Sequence, residues 1–161
     1  MTEKNDLAKH VVRPTYVCSD LPPSDQHSQQ FKAVRDAHDM ELIEDYVELI
    51  GDLLDHYDEA RATDIAARMG VRQATVARMI RRLNVLGFVK NEPYRSIFLT
   101  DQGREMANRC RQRHAVVLDF LRALGVKDAT ARIDAEGMEH HVSEETLDIM
   151  QRFAQKQSNR G

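Results

Sequence analysis

Six side chains able to hold a cation stand in three places along the chain. Asp45 and Glu48 lie three residues apart, between apolar Ile43, Tyr46 and Leu49. His114 stands between a run of arginines and the apolar stretch AVVLDF. Glu136, Glu139 and His140 share the segment DAEGMEHHVS, Asp134–Ser143. Carboxylates and imidazoles this dense are costly to bury unless something pairs with them. On a helix, Glu136, Glu139 and His140 occupy i, i+3 and i+4 and share one face, whereas His141 turns away. If the three segments pack together, four carboxylates and two imidazoles meet. Divalent cations would relieve the repulsion among those acids. Taken singly, each segment has a plainer explanation. A solvated acidic face accounts for Asp45 and Glu48, and a satisfied boundary histidine for His114. A bland surface accounts for Glu136, Glu139 and His140 as well as a metal does. Gly137 costs ~1 kcal/mol relative to Ala inside a helix. Its missing side chain would let another helix come close beside the ligands.

The elements that must position these groups are legible from periodicity. Residues 1–34 hold Pro14, Pro22, Pro23 and a polar Ser/Gln run, the composition of a mobile arm or a strap. From about Val34 to Tyr57, Leu42, Tyr46, Leu49, Ile50, Leu53 and Tyr57 recur at helical steps. In ATDIAARMGVRQATVARMIRRLNVLGF, Thr63 is suited to cap a short helix ending at Met69. Gly70 supplies a tight turn. A second helix starts at Arg72 or Gln73, turns Val76, Met79, Ile80 and Leu83 inward, and ends by Gly87. Phe88–Glu92 and Ile97–Thr100 read as short strands around a loop of Pro93, Tyr94, Arg95 and Ser96. Thr100 caps a long helix closing at Gly125, Asp128 a helix through about His141, and Ser143 a last one to about Gln157. Three helices, a hairpin and three more helices make a mainly α chain: a winged helix-turn-helix, then an all-helical part.

With 161 residues, 42% hydrophobic and 30% charged, this is an ordinary soluble chain of one domain or two small ones. Two cysteines, Cys18 and Cys110, suggest neither a disulfide framework nor a Cys-rich zinc site. No apolar run approaches the ~18 residues of a membrane span. The start, MTEKNDLAKHVVRP, lacks the apolar core of a signal peptide. The expectation is a cytoplasmic protein with no membrane partner.

The net charge of −3 conceals a segregation. Asp36–Glu59 holds ten acidic residues and no Lys or Arg, whereas Arg61–Arg113 holds twelve basic and four acidic ones. A basic block inside an acidic chain reads as a nucleic-acid surface or as a solvated cationic face. The second helix weighs toward nucleic acid. Its first turn exposes Arg72, Gln73 and Thr75, with Arg78 one turn on. Gln pairs with adenine and Arg with guanine in the major groove. Arg81 and Arg82 would reach flanking phosphates, and Tyr94, Arg95 and Ser96 sit at the tip of the wing. Phosphate contacts hold position, and base-edge contacts give sequence.

The pattern IEDYVELI, DIAARMGVRQATVARMIRRL, RHAVVLDFLRALGV and DAEGMEHHVSEETLD resembles the diphtheria toxin repressor family, in particular its proteobacterial manganese-type members. The match runs from about Phe31 to Phe153. The resemblance implies a homodimeric, metal-activated transcription regulator. It also implies a winged helix-turn-helix DNA-binding domain over 35–100 and a helical metal-binding and dimerisation domain over 101–161; the mobile arm over 1–34, read from composition, has no counterpart in the resemblance. The family's ligands fall on Asp45, Glu48, His114, Glu136, Glu139 and His140, as two adjacent manganese sites sharing carboxylates. His141 matches a histidine that is usually not a ligand. Iron-type relatives place sulfur where this chain has Asp45 and Glu136. Hard oxygen donors suit Mn(II). The bound dimer is expected to sit on a palindromic double-stranded operator and shut off manganese-uptake genes, with activation of export genes as a second output. Ala74 stands where many relatives have proline, and the resemblance is to the two-domain members without an SH3-like third domain.

Other classes fit less well. An H-x-x-E-H zinc motif would need histidine at Glu136, and a di-iron bundle needs paired E-x-x-H. No nucleophile triad is present, so no enzyme is expected. The alternatives are a repressor answering iron or another divalent metal, and a winged-helix regulator sensing a non-metal ligand.

Overall fold

The computed structural model describes residues 23–91 and 96–158. A long helix, α1 (Ser24–Tyr57), is followed by α2 (Ala62–Met69) and α3 (Gln73–Val85). Strands β1 (Val89–Asn91) and β2 (Ile97–Leu99) pair antiparallel, with Lys90 opposite Phe98. Then come α4 (Asp101–Ala123), α5 (Asp128–Met138), a 3₁₀ turn (Glu139–His141) and α6 (Glu144–Ser158). Among the described residues, no helix is long and apolar enough to cross a membrane.

The first helix begins well before Val34: residues 24–34 of the expected arm are helical, and residues 1–22 of it lie outside the described residues. Phe31 and Val34 are exposed there. None of the described side chains of this stretch is buried, so they give no amphipathic signal by which a sequence could announce it. Pro23 occupies the N-cap with extended ψ, where its missing N–H costs nothing. At the other end Asp58 adopts φ 59 and donates its N–H to the Leu54 carbonyl.

Two further starts differ from expectation. The N-cap of α2 is Arg61, with Thr63 inside the first turn, and the N-cap of α5 is Lys127, with Asp128 inside. Asp128 instead accepts from Arg122 Nε at 2.8 Å and Arg132 Nε at 2.9 Å. The Thr100 cap forms, accepting from the Gly103 N–H at 3.1 Å, and Ser143 likewise accepts from Thr146 at 3.2 Å. Gly70 closes α2 at φ 66.

Two hydrophobic clusters form. The first gathers Tyr46, Val47 and Ile50 of α1, Ile65 of α2, Val76, Ile80 and Leu83 of α3, and the hairpin residues Val89 and Ile97. The second gathers Val117, Leu118 and Leu121 with Ala131, Ala135, Leu147 and Met150. The spine is α4. Its Met106, Ala107 and Cys110 enter the first cluster, and from Val117 onward it enters the second. Gly103 makes the joint possible. A Cβ there would stand 2.1 Å from the Phe88 carbonyl oxygen, so only glycine lets α4 lie against the hairpin.

Candidate metal centre and nucleic-acid interface

The turn of α4 between the two clusters carries polar side chains, Arg111, Arg113 and His114, where the apolar stripe is interrupted. Onto that gap pack the carboxylates of α1 and the 3₁₀ turn. Glu139 is the pivot, at 2% exposure. Its Oε2 lies 2.5 Å from His114 Nδ1, and its Oε1 lies 3.6 Å from His140 Nε2. Glu136 Oε2 is 3.5 Å from the same His114 nitrogen. Ligand atoms of His114, Glu136 and Glu139 all lie within 4.8 Å of one another. His140, with its side chain 3% exposed, aims Nε2 at Asp45 Oδ1, 3.1 Å away. Glu136 differs from its neighbours, with a side chain 75% exposed. It lines an open groove with Glu41, Asp45, Arg132, Ile133 and Gly137.

The helix tightens to 3₁₀ at Glu139. Glu136 therefore sits on α5 at the groove, while Glu139 and His140 are driven inward by the turn. The uniform helical face expected over 128–141 is broken here. His141 turns away from the ligand face as expected and is exposed, with its Nε2 3.4 Å from Glu41 Oε2. Gly137 serves no close packing: a Cβ there would meet nothing within 4 Å.

The electrostatics follow from crowding. Burial, with Glu139, Asp52 and Glu136 adding repulsion, pushes Glu48 up to about 7. Burial, with Glu136 and Asp45 nearby, pushes Glu139 up to about 7 as well. Hydrogen bonds to Asp45 and Glu44 push His140 up to about 10. Each buried acid is thus held against its own charge by the others, the condition a divalent cation relieves. Oxygen-rich donors with two imidazoles fit a hard or borderline divalent ion. Among the residues expected to act, Glu48 joins the group through charge, and the other five through the contacts given above.

Two positioning residues escaped the sequence reading. Glu44 Oε2 holds His140 Nδ1 at 2.8 Å. A carboxylate on the far ring nitrogen fixes the tautomer and aim of a ligating histidine. The signal was present in the EDY triplet, read only for Asp45. Arg113 donates from Nε and Nη2 to the Glu139 carbonyl at 3.0 and 2.7 Å. It also donates to the Val142 carbonyl and, at 2.5 Å, to Glu144 Oε1. That clamp holds the 3₁₀ turn, and only tertiary structure reveals it.

The second candidate surface lies on α3. Arg72 is its N-cap, and Arg72, Gln73, Thr75, Arg78, Arg81 and Arg82 are all exposed. None of these arginines forms an ion pair with another described residue, whereas those of α4 do. Arg104 binds Asp55 at 2.6 Å, Arg111 binds Asp52 and Asp55 at 2.9 Å, and Arg109 reaches Glu44 at 3.6 Å. The basic block of the sequence is therefore two things: a face on α3 with no ion pair among the described residues, and the internal counter-charge of acidic α1. Tyr94 and Arg95 lie outside the described residues. Ser96, expected at the wing tip, turns inward and accepts from the Ala60 N–H at 2.8 Å.

The comparisons with known proteins follow the same division. Residues 39–97 match the iron dependent repressor N-terminal DNA binding domain, and residues 100–159 match the iron dependent repressor metal binding and dimerisation domain. "Transcriptional regulator MntR" of Escherichia coli O157:H7 is 52% identical over 136 residues, 84% of this chain and 88% of the relative. Its namesake in Salmonella typhimurium strain LT2 is 53% identical over 132 residues, 82% of this chain and 84% of the relative. Among solved structures, a "Manganese-dependent transcriptional repressor complex with manganese" aligns with TM-score 0.61 and 30% identity. That alignment covers 72% of this chain and 52% of the other. T. acidophilum IdeR aligns with TM-score 0.62 and 28% identity, covering 68% of this chain and 53% of the other. The chain spans about half the length of these solved regulators. It belongs to the iron dependent repressor family, the diphtheria toxin repressor family of its sequence resemblance, as a DNA-binding transcriptional regulator with a metal-binding and dimerisation domain, and is not an enzyme.

Proposed function

We propose that this chain is a manganese-responsive repressor. Its junction takes Mn(II), two ions per subunit, and its homodimer then binds a palindromic operator controlling manganese-uptake genes. Activation of export genes is a second output of the same switch, and the operator sets its place of work in the cytoplasm. The observation that carries this reading is Glu139, buried at 2% exposure between two imidazoles while other carboxylates crowd it. Asp45, Glu48, His114, Glu136, Glu139 and His140 are the proposed ligands. Carboxylate rather than sulfur at Asp45 and Glu136 favours manganese over iron.

The ligands come from both sides of the joint. Asp45 and Glu48 belong to the helix packed under the winged helix, whereas His114, Glu136, Glu139 and His140 belong to α4, α5 and the turn. We place the domain division near residue 100 accordingly. Without a cation, mutual repulsion loosens α1 against the turn. A bound divalent ion supplies the positive charge that draws these acids together. With α1 fixed, the two recognition helices of a dimer hold one spacing and fit one operator. Gln73, Thr75 and Arg78 are the proposed base readers. Arg72, Arg81 and Arg82, with Tyr94 and Arg95 of the wing, are the proposed backbone contacts.

The test is operator binding by fluorescence anisotropy, on a labelled duplex from upstream of a manganese-importer gene. Saturating Mn²⁺ is expected to tighten binding over chelator by roughly 5- to 150-fold, the usual range of such coupling. Equal affinity in the two conditions would overturn the reading.

A further inference from the structure

A second gathering of imidazoles stands beside the junction and uses none of its six proposed ligands. His38 and Glu41 lie one turn apart on α1, and His141 ends the 3₁₀ turn. His38 Nδ1 is 3.0 Å from Glu41 Oε2, and His141 Nε2 is 3.4 Å from that same oxygen. The two imidazole rings meet edge-on with centroids 5.0 Å apart. Ligand atoms of all three residues lie within 4.8 Å of one another. Three donors bound to one zinc ion at about 2.0–2.2 Å would stand this close. The side chains are 63%, 29% and 35% exposed for His38, Glu41 and His141, so an ion has an open path and room for water as a fourth ligand.

The donor chemistry differs from that of the junction. Two nitrogens and one oxygen form the His₂–carboxylate set of zinc, which takes three protein ligands and leaves a position open. Mn²⁺ binds weakest in the first-row order and prefers oxygen-rich cages. The residues also come from two elements, so an ion among them joins α1 to the turn. We propose that His38, Glu41 and His141 form a separate site for a zinc-class divalent cation, which staples the N-terminal half of α1 to the turn carrying Glu139 and His140. Zinc then has its own place on the protein, apart from the oxygen-rich one.

Equilibrium dialysis of the full chain against Zn²⁺, with metal counted by atomic emission, tests this. Wild type is expected to hold one zinc more per subunit than His38→Ala. The two proteins are expected to take up Mn²⁺ equally. Because the readout is a difference, it holds whatever number of ions the junction itself accepts. Equal zinc counts overturn the proposal. So does a His38→Ala chain that loses manganese along with zinc, since His38 would then act through the junction. If circular dichroism shows α1 disturbed, Glu41→Gln keeps the helix and is expected to give the same one-zinc deficit. No deficit in that variant also overturns the site.

Discussion

The recognition face of α3 and the acidic junction are both rich in ionisable groups, and they differ in commitment. On α3, Arg72, Arg78, Arg81 and Arg82 are exposed and make no ion pair among the described residues. At the junction, the side chains of Glu139 and His140 are buried, and each touches more than one partner. The difference follows from what each surface meets. A polyanion arriving from solvent displaces counterions and needs cations that nothing else holds. A single ion needs donors already gathered, and gathering like charges is what distorts their protonation. The arginines of α4 complete the contrast. They follow α3 in the same basic block, yet they are spent on Asp52, Asp55, Glu44 and Glu144. Charge density in a sequence therefore measures binding capacity only after internal pairing is subtracted.

If the two regions are separate machines, each can be broken alone. Arg78→Ala should cost about 1–3 kcal/mol of operator affinity, roughly 5- to 150-fold, in anisotropy titrations at saturating Mn²⁺. Mn²⁺ stoichiometry by dialysis should stay at the wild-type value. A variant that also lost manganese would erase the distinction between the surfaces.

The next effect sharpens the junction side. Glu44→Gln removes the carboxylate at 2.8 Å from His140 Nδ1 while keeping the shape of the side chain. Manganese affinity should fall by roughly 10- to 100-fold, as when the outer partner of a ligating histidine is lost. Operator affinity at saturating metal should return close to wild type, because α3 is untouched. An unchanged manganese titration would mean that Glu44 serves Arg109 and not the histidine.

What the sequence disclosed divides along the same line. The recognition helix was legible because its inward residues, Val76, Met79, Ile80 and Leu83, keep strict helical spacing, and all four are buried. Gly70 and Thr100 were legible because turns and caps are local chemistry. The long-range arrangement was not. Arg113 holds two carbonyls some thirty residues away, and no spacing rule reaches that far. The start of α1 is not legible because none of the described side chains of its first turns is buried, and exposed residues keep no period to detect. The 3₁₀ turn was missed because periodicity cannot distinguish one tight turn from the end of an α-helix. The six proposed ligand positions are visible as polar anomalies, and His141 is separable from them because it turns off their helical face, but nothing local marks Glu44, whose role depends on a histidine 96 residues away.

The smallest effect concerns the glycine inside the acidic segment. A glycine between two ligands invites the idea of a close approach, the role Gly103 does play against Phe88. At Gly137 the added Cβ would meet nothing within 4 Å, and the backbone there is ordinary α5. Gly137→Ala should then stabilise by about 0.5–1 kcal/mol, through the lower entropy of the unfolded chain and the better helix propensity of alanine. For a chain of this size that raises the melting temperature by roughly 1–4 °C, measured in chelator so that metal does not contribute. Manganese affinity should hold, since the groove beside Glu136 has room for a methyl group. A lower melting temperature would mean that the open side of α5 is filled in the working protein, and that the groove at Asp45 and Glu136 is a docking face rather than an entrance.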